Sequence, residues 1–149
     1  MLAGCGSSSA KKHEDAAATQ WRAGLAQWER TMTHAINDLS VILGQTATLR
    51  AIQHGDARLI ARLTTNEETL LGCRKQVDGL GGAPSVLAQA RTDALLACTN
   101  LQLGASLVRD GVRRLQIGLG SEVLTQSSEP LGSGQDVLMR VRVELRQAG

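Results

Sequence analysis

The apolar residues in the first part of the chain recur with the period of an α-helix. From Asp15 onwards they are spaced alternately by four and three positions. The members of this first stripe are Trp21, Leu25, Trp28, Met32, Ala35, Leu39 and Ile42. Such spacing predicts a long amphipathic helix that buries one face against other helices. Gly44 is the expected end of this helix, and Thr46 can cap a short turn through Ile52.

Two further stripes with the same spacing predict a second and a third long helix. Asp56 is the expected N-cap of the second helix, and Pro84 fits the first turn of the third. The second stripe consists of Leu59, Leu63, Asn66, Leu70, Cys73, Val77 and Leu80. The third stripe consists of Leu87, Arg91, Ala94, Cys98, Leu101, Ala105, Val108, Val112, Leu115 and Leu119. The Gly-rich segment 79–83 separates these helices, and the third should end before Pro130.

The C-terminal stretch 135–146 fits two patterns. The residues that alternate as in a strand are Val137, Met139, Val141, Val143 and Leu145. The residues that recur as in a helix are Leu138, Val141, Leu145 and Ala148. No other segment offers a strand partner, and a lone strand would leave its backbone groups unpaired. The sequence therefore predicts a short helix, capped near Ser133, that packs back onto the other helices.

The composition supports a fold made of helices. The chain has 149 residues, of which 42% are hydrophobic and 1% aromatic, with no Phe or Tyr. A core built from Leu, Val, Ile and Ala favours helices over a sheet, and this length suits one domain. We therefore expect an all-α fold, an antiparallel helical bundle of three long helices plus a shorter C-terminal helix. Residues 1–13 would form a flexible tether and residues 14–149 a single bundle domain.

A row of small residues lies on one flank of the third predicted helix. Its members, seven positions apart, are Ala90, Ala97, Gly104, Gly111 and Gly118. Each glycine inside a helix costs about 1 kcal/mol relative to alanine. The expected compensation is close packing of a neighbouring helix against this flank. The alternative is a groove for an elongated apolar ligand or for a partner helix.

The N-terminus carries a short processing motif. This motif is Leu2-Ala3-Gly4-Cys5. Together with the Ser-rich stretch 6–10 that follows it, the motif resembles the lipobox and tether of bacterial lipoproteins. A Trp-bearing first helix, two internal cysteines and a Gly-rich turn extend the resemblance to small bacterial lipoproteins of helical type. Because a signal peptide precedes such a box, the resemblance implies a start codon upstream of Met1 or a trimmed sequence.

The same resemblance implies a location and a partner. Cys5 would be acylated, and its lipid would attach the protein to the cell membrane on the extracytoplasmic side. The partner besides the membrane would be another protein of the cell envelope. The formal net charge of +2, with both signs spread along the chain, argues against nucleic acid as a partner.

With Cys5 assigned to lipidation, Cys73 and Cys98 remain, and both lie on buried stripes. In an exported protein such a pair favours a disulfide, and the alternative is two buried free thiols. A straight antiparallel helix pair would place them about 12 Å apart along its axis. Bonded cysteines need Cα atoms within about 7 Å. The bond therefore requires the segment 79–83 to run extended beside the second helix.

Other candidates for chemistry are weak. The three histidines, His13, His34 and His54, lack the Glu or His spacing of helical metal sites, so no metal or cofactor is expected. The segment 132–134 has a serine between glycines but lacks the full nucleophile-elbow pattern. We therefore expect no catalytic residue and no enzymatic activity.

The two tryptophans leave one more choice open. Trp21 and Trp28 lie two turns apart on one helix face, where filling the core is expected and a stacking platform for a ring-shaped ligand is the alternative. The predicted function is a membrane-anchored extracytoplasmic lipoprotein with a structural or interaction role and no catalysis. One alternative is a bundle that binds a small apolar ligand or a haem-like cofactor. Another is a cytosolic helical interaction module with reduced thiols.

Overall fold

The computed structural model describes residues 7–148, with side chains from Asp15 onwards. Over this range the chain is helical and contains no strand, which confirms the all-α prediction. The helices are α1 (Ser7–Leu43), α2 (Thr46–Gln53), α3 (Ala57–Leu71), α4 (Cys73–Asp78), α5 (Ala88–Gln116), α6 (Glu122–Gln126) and α7 (Ser128–Gln147). A 3₁₀ turn, Ser85–Leu87, precedes α5.

Four helical layers surround one core. The first layer is α1, the second consists of α3 and α4 together, the third is α5 and the fourth is α7. Neighbouring layers are antiparallel, because early residues of one helix face late residues of the next. Asp38 on α1 bonds Asn66 on α3, whereas Gly24 faces Leu80 beyond α4. The other facing pairs are Glu67–Arg109, Cys73–Cys98, Asp78–Arg91, Leu131–Gly104, Glu144–Asp93 and Arg142–Glu29. The chain therefore alternates in direction around the bundle, with α2 and α6 in the connections.

The second predicted helix is interrupted, so the expected set of three long helices and a shorter one is not confirmed. α3 ends at Leu71 and α4 begins at Cys73, with Gly72 between them. Glycine is a weak helix former, and its cost is about 1 kcal/mol relative to alanine. Gln102 on α5 donates a hydrogen bond from Nε2 to the carbonyl oxygen of Leu71 at 2.8 Å. The neighbouring helix thus supplies a polar partner at the interruption.

The C-terminal helix is longer than the sequence predicted. α7 spans 20 residues and begins at Ser128, five positions before the expected cap at Ser133. Pro130 lies in its first turn, where a backbone N–H has no partner within the helix and its loss costs little. The strand-like alternation is therefore accommodated by a helix. Val137, Val141 and Leu145 face the core.

The third predicted helix ends earlier than its apolar stripe. α5 ends at Gln116, and Gly118 has a φ of +79°. The N–H of Gly118 bonds the carbonyl of Leu115 at 3.2 Å, and the N–H of Leu119 bonds that of Arg114 at 2.9 Å. This is a Schellman ending, which needs a residue in the left-handed conformation and therefore favours glycine. Gly118 thus terminates α5 and does not belong to the glycine row inside it.

The turn between α2 and α3 follows the sequence signals. The Oδ1 atom of Asp56 accepts hydrogen bonds from the backbone nitrogens of Arg58 and Leu59, each at 3.0 Å. Such an N-cap contributes about 1 kcal/mol relative to alanine. Gly55, just before it, has a φ of +81° and closes α2. The prediction of Asp56 as a cap is confirmed.

The first helix starts earlier than predicted. α1 spans 37 residues from Ser7, so its backbone includes residues 7–13 of the expected tether. Trp21 is the first buried residue among those whose side chains are described. At a rise of about 1.5 Å per residue, α1 reaches about 20 Å from Ser7 to Trp21. Within the described range, α1 buries no side chain between Asp15 and Gln20.

Charged side chains form contacts across three of the four pairs of neighbouring layers. Arg142 on α7 donates from Nε and Nη2 to Oε1 of Glu29 on α1, at 3.1 and 2.6 Å. Arg109 on α5 donates from Nε to Oε2 of Glu67 on α3, at 3.2 Å. A third cluster, between α1 and α3, consists of Asp38, Arg62 and Asn66. Because an unpaired buried carboxylate is costly, these contacts favour one register of the helices.

The fourth pair of neighbouring layers, α5 and α7, contains two carboxyl groups that face each other. Asp93 on α5 is buried, and Oε2 of Glu144 on α7 is buried with no hydrogen-bond partner. Burial first, and then the adjacent Asp93 carboxyl, raises the pKa of Glu144, while Arg140 acts in the opposite direction. Two carboxyl groups this close hold one proton between them more readily than two negative charges. The contact between α5 and α7 is therefore strongest when Glu144 is protonated.

This carboxyl pair predicts a pH dependence of stability. Because the pKa of Glu144 is higher in the folded than in the unfolded chain, the folded state binds more proton. The stabilisation of the folded state by protonated Glu144 is complete below the ordinary carboxyl pKa of 4.5. It is lost as the pH rises through the raised pKa of the folded state. E144Q removes this loss. We expect E144Q to melt above the wild type at neutral pH and close to it at about pH 4.

Circular dichroism melts over this pH range measure the effect. E129Q, at an exposed position of α7, is the matched control and should keep the pH dependence of the wild type. An E144Q variant that loses stability with rising pH as steeply as the wild type would show that the carboxyl pair does not control the contact between α5 and α7.

Candidate functional site

The predicted site residues have different positions in the structure. Cys5, the expected lipidation site, lies outside the described residues. Cys73 and Cys98 are joined as a disulfide, with their Cα atoms 5.4 Å apart and a sequence separation of 25. Both cysteines are fully buried. The bond connects the start of α4 to the middle of α5.

The loop between α4 and α5 explains how the two cysteines meet. α4 ends at Asp78, five residues after Cys73, and α5 begins at Ala88, ten residues before Cys98. The chain between the helices contains Gly81, with a φ of +79°, and Pro84, with an extended ψ of 149°. This non-helical passage lets α5 start further along the bundle than a tight turn would. Pro84 therefore precedes the third helix and does not lie in its first turn.

The tryptophans belong to the core. Trp21 and Trp28 are 5% and 4% exposed, so neither offers a ring face to solvent. Trp21 donates from Nε1 to the carbonyl oxygen of Gly81 at 3.4 Å, which links α1 to the loop after α4. Nε1 of Trp28 is buried without a hydrogen-bond partner in the described structure. The arrangement supports core filling and gives no open stacking platform.

The glycine row provides close packing of α7 and α6 against α5. A Cβ atom added at Gly104 would lie 2.6 Å from Cγ of Leu131, and one at Gly111 would lie 2.6 Å from Cγ of Leu124. The approach is reciprocal, since a Cβ at Gly134 on α7 would lie 2.5 Å from Cδ2 of Leu101. Leucine side chains thus fill the space above the glycines. No groove remains along this flank at Gly104 and Gly111.

A cavity of about 390 Å³ lies at the end of the bundle where α1 stops. The leucines that cover the glycine row, Leu124 and Leu131, form part of its wall. The other apolar lining residues are Ile36, Leu43 and Leu49. The polar lining residues include Ser40, Ser121, Thr125, Ser128 and Gln135. This end cavity has the size of a small-molecule site, with an apolar wall and a rim of hydroxyl groups.

The lining of the end cavity offers apolar surface and uncharged hydrogen-bonding groups. No titratable side chain lines it, so it offers neither a general acid nor a general base. The hydroxyls of Ser127 and Ser128 donate to the carbonyls of Leu124 and Thr125, at 2.6 and 2.8 Å. Their oxygens can still accept a hydrogen bond. The cavity contains no His, Met, Cys or Tyr that could serve as an axial ligand to haem iron.

The end cavity has no signal in the sequence. Its residues come from four separate elements, the end of α1, α2, α6 and the start of α7. None of them belongs to a motif, and the hydroxyl-bearing residues are common surface types. Only Gly132, where an added Cβ would meet nothing within 4 Å, marks an open space in the helix that carries it.

Two further properties of the described residues bear on the function. No group of three or more His, Cys, Asp or Glu side chains from residues 15–148 converges on a point that could hold a metal ion. None of the helices in the described part of the chain is long and apolar enough to cross a membrane.

Comparison with known proteins gives no relative to argue from. No protein-family model, curated protein or solved structure matches this chain.

The close approach at Gly111 predicts opposite effects of two alanine substitutions. In G111A the new Cβ would lie 2.9 Å from the backbone nitrogen of Leu124, so α6 has to move. Overpacking of this kind costs about 1–3 kcal/mol, which exceeds the gain of about 1 kcal/mol in helix propensity. G132A, with open space around the new Cβ, should instead be stabilised by up to about 1 kcal/mol.

Urea unfolding of the two variants and the wild type measures this difference. G111A should unfold at lower urea concentration than the wild type and G132A at higher. Equal stabilisation of both variants would mean that α6 does not pack tightly on α5 at Gly111.

Proposed function

We propose that this chain is a membrane-anchored extracytoplasmic lipoprotein whose helical bundle binds another component of the cell envelope and has no catalytic role. The observation that carries the proposal is the Leu2-Ala3-Gly4-Cys5 motif, which resembles a lipobox. Acylation of Cys5 would attach the bundle to the outer surface of the cytoplasmic membrane or to another envelope membrane. The fold and the disulfide are consistent with this assignment.

The disulfide supports an exported location. Structural disulfides persist in oxidising compartments and are rare where glutathione keeps thiols reduced. Cys73 and Cys98 are both fully buried and lie at bonding distance across two helices. A loop of this length contributes on the order of 3 kcal/mol when its ends are bonded. This stabilisation would be available only outside the cytosol, where the proposal places the protein.

The geometry of α1 suits an anchored spacer. The helix begins two residues after Cys5, and Trp21 is the first of its described side chains to be buried. A helical segment of about 20 Å would therefore separate the lipid from the bundle. Leu43, at the other end of α1, would lie about 50 Å from its start. The end of the bundle that carries the cavity would then be furthest from the lipid.

This distal end offers apolar surface to a partner. Val41 near the end of α1, and Ile117 and Leu119 just beyond α5, are 56%, 72% and 61% exposed. Helices α1 and α5 run in the same direction, so these side chains lie at the same end of the bundle as the cavity. Large contiguous apolar patches mark interaction surfaces, and these three side chains are the candidates for such a patch at this end. The proposed partner contact lies here.

The mass of the N-terminal peptide tests the proposal. In protein isolated from its native cells, we expect Cys5 to be the first residue and to carry a diacylglycerol group. A C5S variant should lack this modification and leave the membrane fraction, while a C73S/C98S variant should keep it. An unmodified peptide that begins at Met1 would contradict the lipoprotein assignment and favour a cytosolic interaction module.

A second candidate function is binding of an uncharged apolar molecule in the end cavity. The specific observation in its favour is the volume of about 390 Å³ with an apolar wall and no charged lining residue. The lack of an axial ligand argues against the haem-like version of this function. The tryptophans and the glycine flank, where the sequence placed the ligand, are both occupied by core packing.

Fluorescence of N-phenyl-1-naphthylamine measures access to the end cavity. The dye should bind the wild type with increased emission, and G132L should bind it at least about tenfold more weakly, because Gly132 lines the cavity and a leucine there takes up part of its volume. S106L, with the same added side chain on the exposed side of α5, is the control. Equal dye binding by G132L and the wild type would rule out the cavity as the site.

A further inference from the structure

A second cleft, distinct from the end cavity, lies between α1 and α7. Its volume is about 470 Å³. Two arginines from each helix line it, and these are Arg22, Arg30, Arg142 and Arg146. Ala26 and Leu145 form its apolar floor, and Glu29 is its one acidic lining residue. We call it the arginine cleft.

The charges in the arginine cleft do not balance. Arg142 donates two hydrogen bonds to Glu29, whose Oε1 atom also accepts one from Oγ1 of Thr33 at 2.9 Å. The single carboxylate is therefore already engaged. Four positive charges and one negative charge leave a surplus of three. Among the described residues, Arg22, Arg30 and Arg146 form no ion pair with a carboxylate.

Neutral acceptors hold two of these three guanidinium groups in place. Arg22 donates from Nη2 to the carbonyl oxygen of Ala148, at the end of α7, and its Nε atom is buried with no partner in the described structure. Arg30 donates from Nη2 to Oε1 of Gln27 at 2.7 Å. Carbonyl and amide oxygens orient a guanidinium group but do not neutralise it. The positive charges therefore repel one another in the absence of an anion.

We propose that the arginine cleft binds a phosphate group that is part of an ester. Guanidinium groups match phosphate oxygens in pairs of hydrogen bonds, which makes arginine the preferred residue for such recognition. At neutral pH a phosphate diester carries a charge of about −1 and a phosphate monoester about −1.5 to −2, and the free oxygens of both accept hydrogen bonds from guanidinium groups. Ala26 and Leu145 provide an apolar surface for the carbon atoms next to the phosphate.

Two kinds of molecule contain this chemistry. One is the headgroup of an anionic phospholipid, and the other is a free phosphate ester. The arginine cleft lies towards the end of the bundle at which α1 enters the core, since Trp21 precedes Arg22 directly and Ala148 closes α7 there. Phosphate binding in the arginine cleft needs no lipid on Cys5, so its test is independent of the proposed function.

Nuclear magnetic resonance of the full chain tests the inference with inorganic phosphate. Phosphate is titrated against chloride at constant ionic strength, and the Nε–Hε signals of the arginines are followed. We expect the signals of Arg22 and Arg146 to move and those of Arg50 and Arg58, at the far end of the bundle, to stay. Unmoved signals in the arginine cleft would overturn the inference without any variant.

A pair of double variants adds a quantitative control. R30Q/R146Q removes two exposed guanidinium groups from the arginine cleft and should weaken phosphate binding by at least about tenfold. R50Q/R58Q removes the same charge from exposed positions on α2 and α3 and should leave the affinity within about twofold. Equal weakening by both would show a general effect of net charge and would overturn the specific site.

Vesicles distinguish the two sources of phosphate. The full chain is sedimented with phosphatidylcholine vesicles that either lack or contain phosphatidylglycerol. Sedimentation that requires phosphatidylglycerol and is lost in R30Q/R146Q would identify a lipid headgroup as the ligand. Binding of inorganic phosphate without such sedimentation would identify a free phosphate ester. Both results support a phosphate site.

Discussion

The close approach of α5 to α6 and α7 is the constraint on which the rest of the bundle depends. Without Phe or Tyr, the core is filled by aliphatic side chains and two tryptophans, so helices have to lie close together. Gly104 and Gly111 admit Leu131 and Leu124 onto the backbone of α5, and Gly134 admits Leu101 in return. This contact places α7 beside α1. The same two leucines, Leu124 and Leu131, also line the end cavity.

Local signals predicted the local features well. The stripe periodicity predicted helices, Asp56 predicted a cap, and the seven-residue glycine spacing indicated a tightly packed flank. The missed features depend on contacts between distant segments. The interruption at Gly72 occurs where Gln102 of another helix approaches, and the early end of α5 depends on a left-handed residue within an unbroken apolar pattern. The cavity and the arginine cleft combine residues from opposite ends of the chain, and no spacing rule connects these.

The two ends of the bundle suit different contacts. The end near Trp21 carries the arginine cleft, whose surplus positive charge fits an anion. The other end carries exposed apolar residues and an uncharged cavity, which fit an apolar partner or ligand. The net charge of +2 conceals this division, because the carboxylates elsewhere in the chain offset the clustered arginines. In the proposed anchored orientation, the end with the arginine cleft would face the membrane that holds the lipid. The apolar end would face away from this membrane, towards the proposed envelope partner.

The redox state of Cys73 and Cys98 in living cells tests the exported account most directly. Native cells are lysed in acid, free thiols are alkylated, and the peptides that contain the two cysteines are analysed by mass spectrometry before and after reduction. The account predicts a single Cys73–Cys98 linked peptide and no alkylated form of either cysteine. Both cysteines alkylated in the freshly lysed cells would place the protein in a reducing compartment and contradict the account.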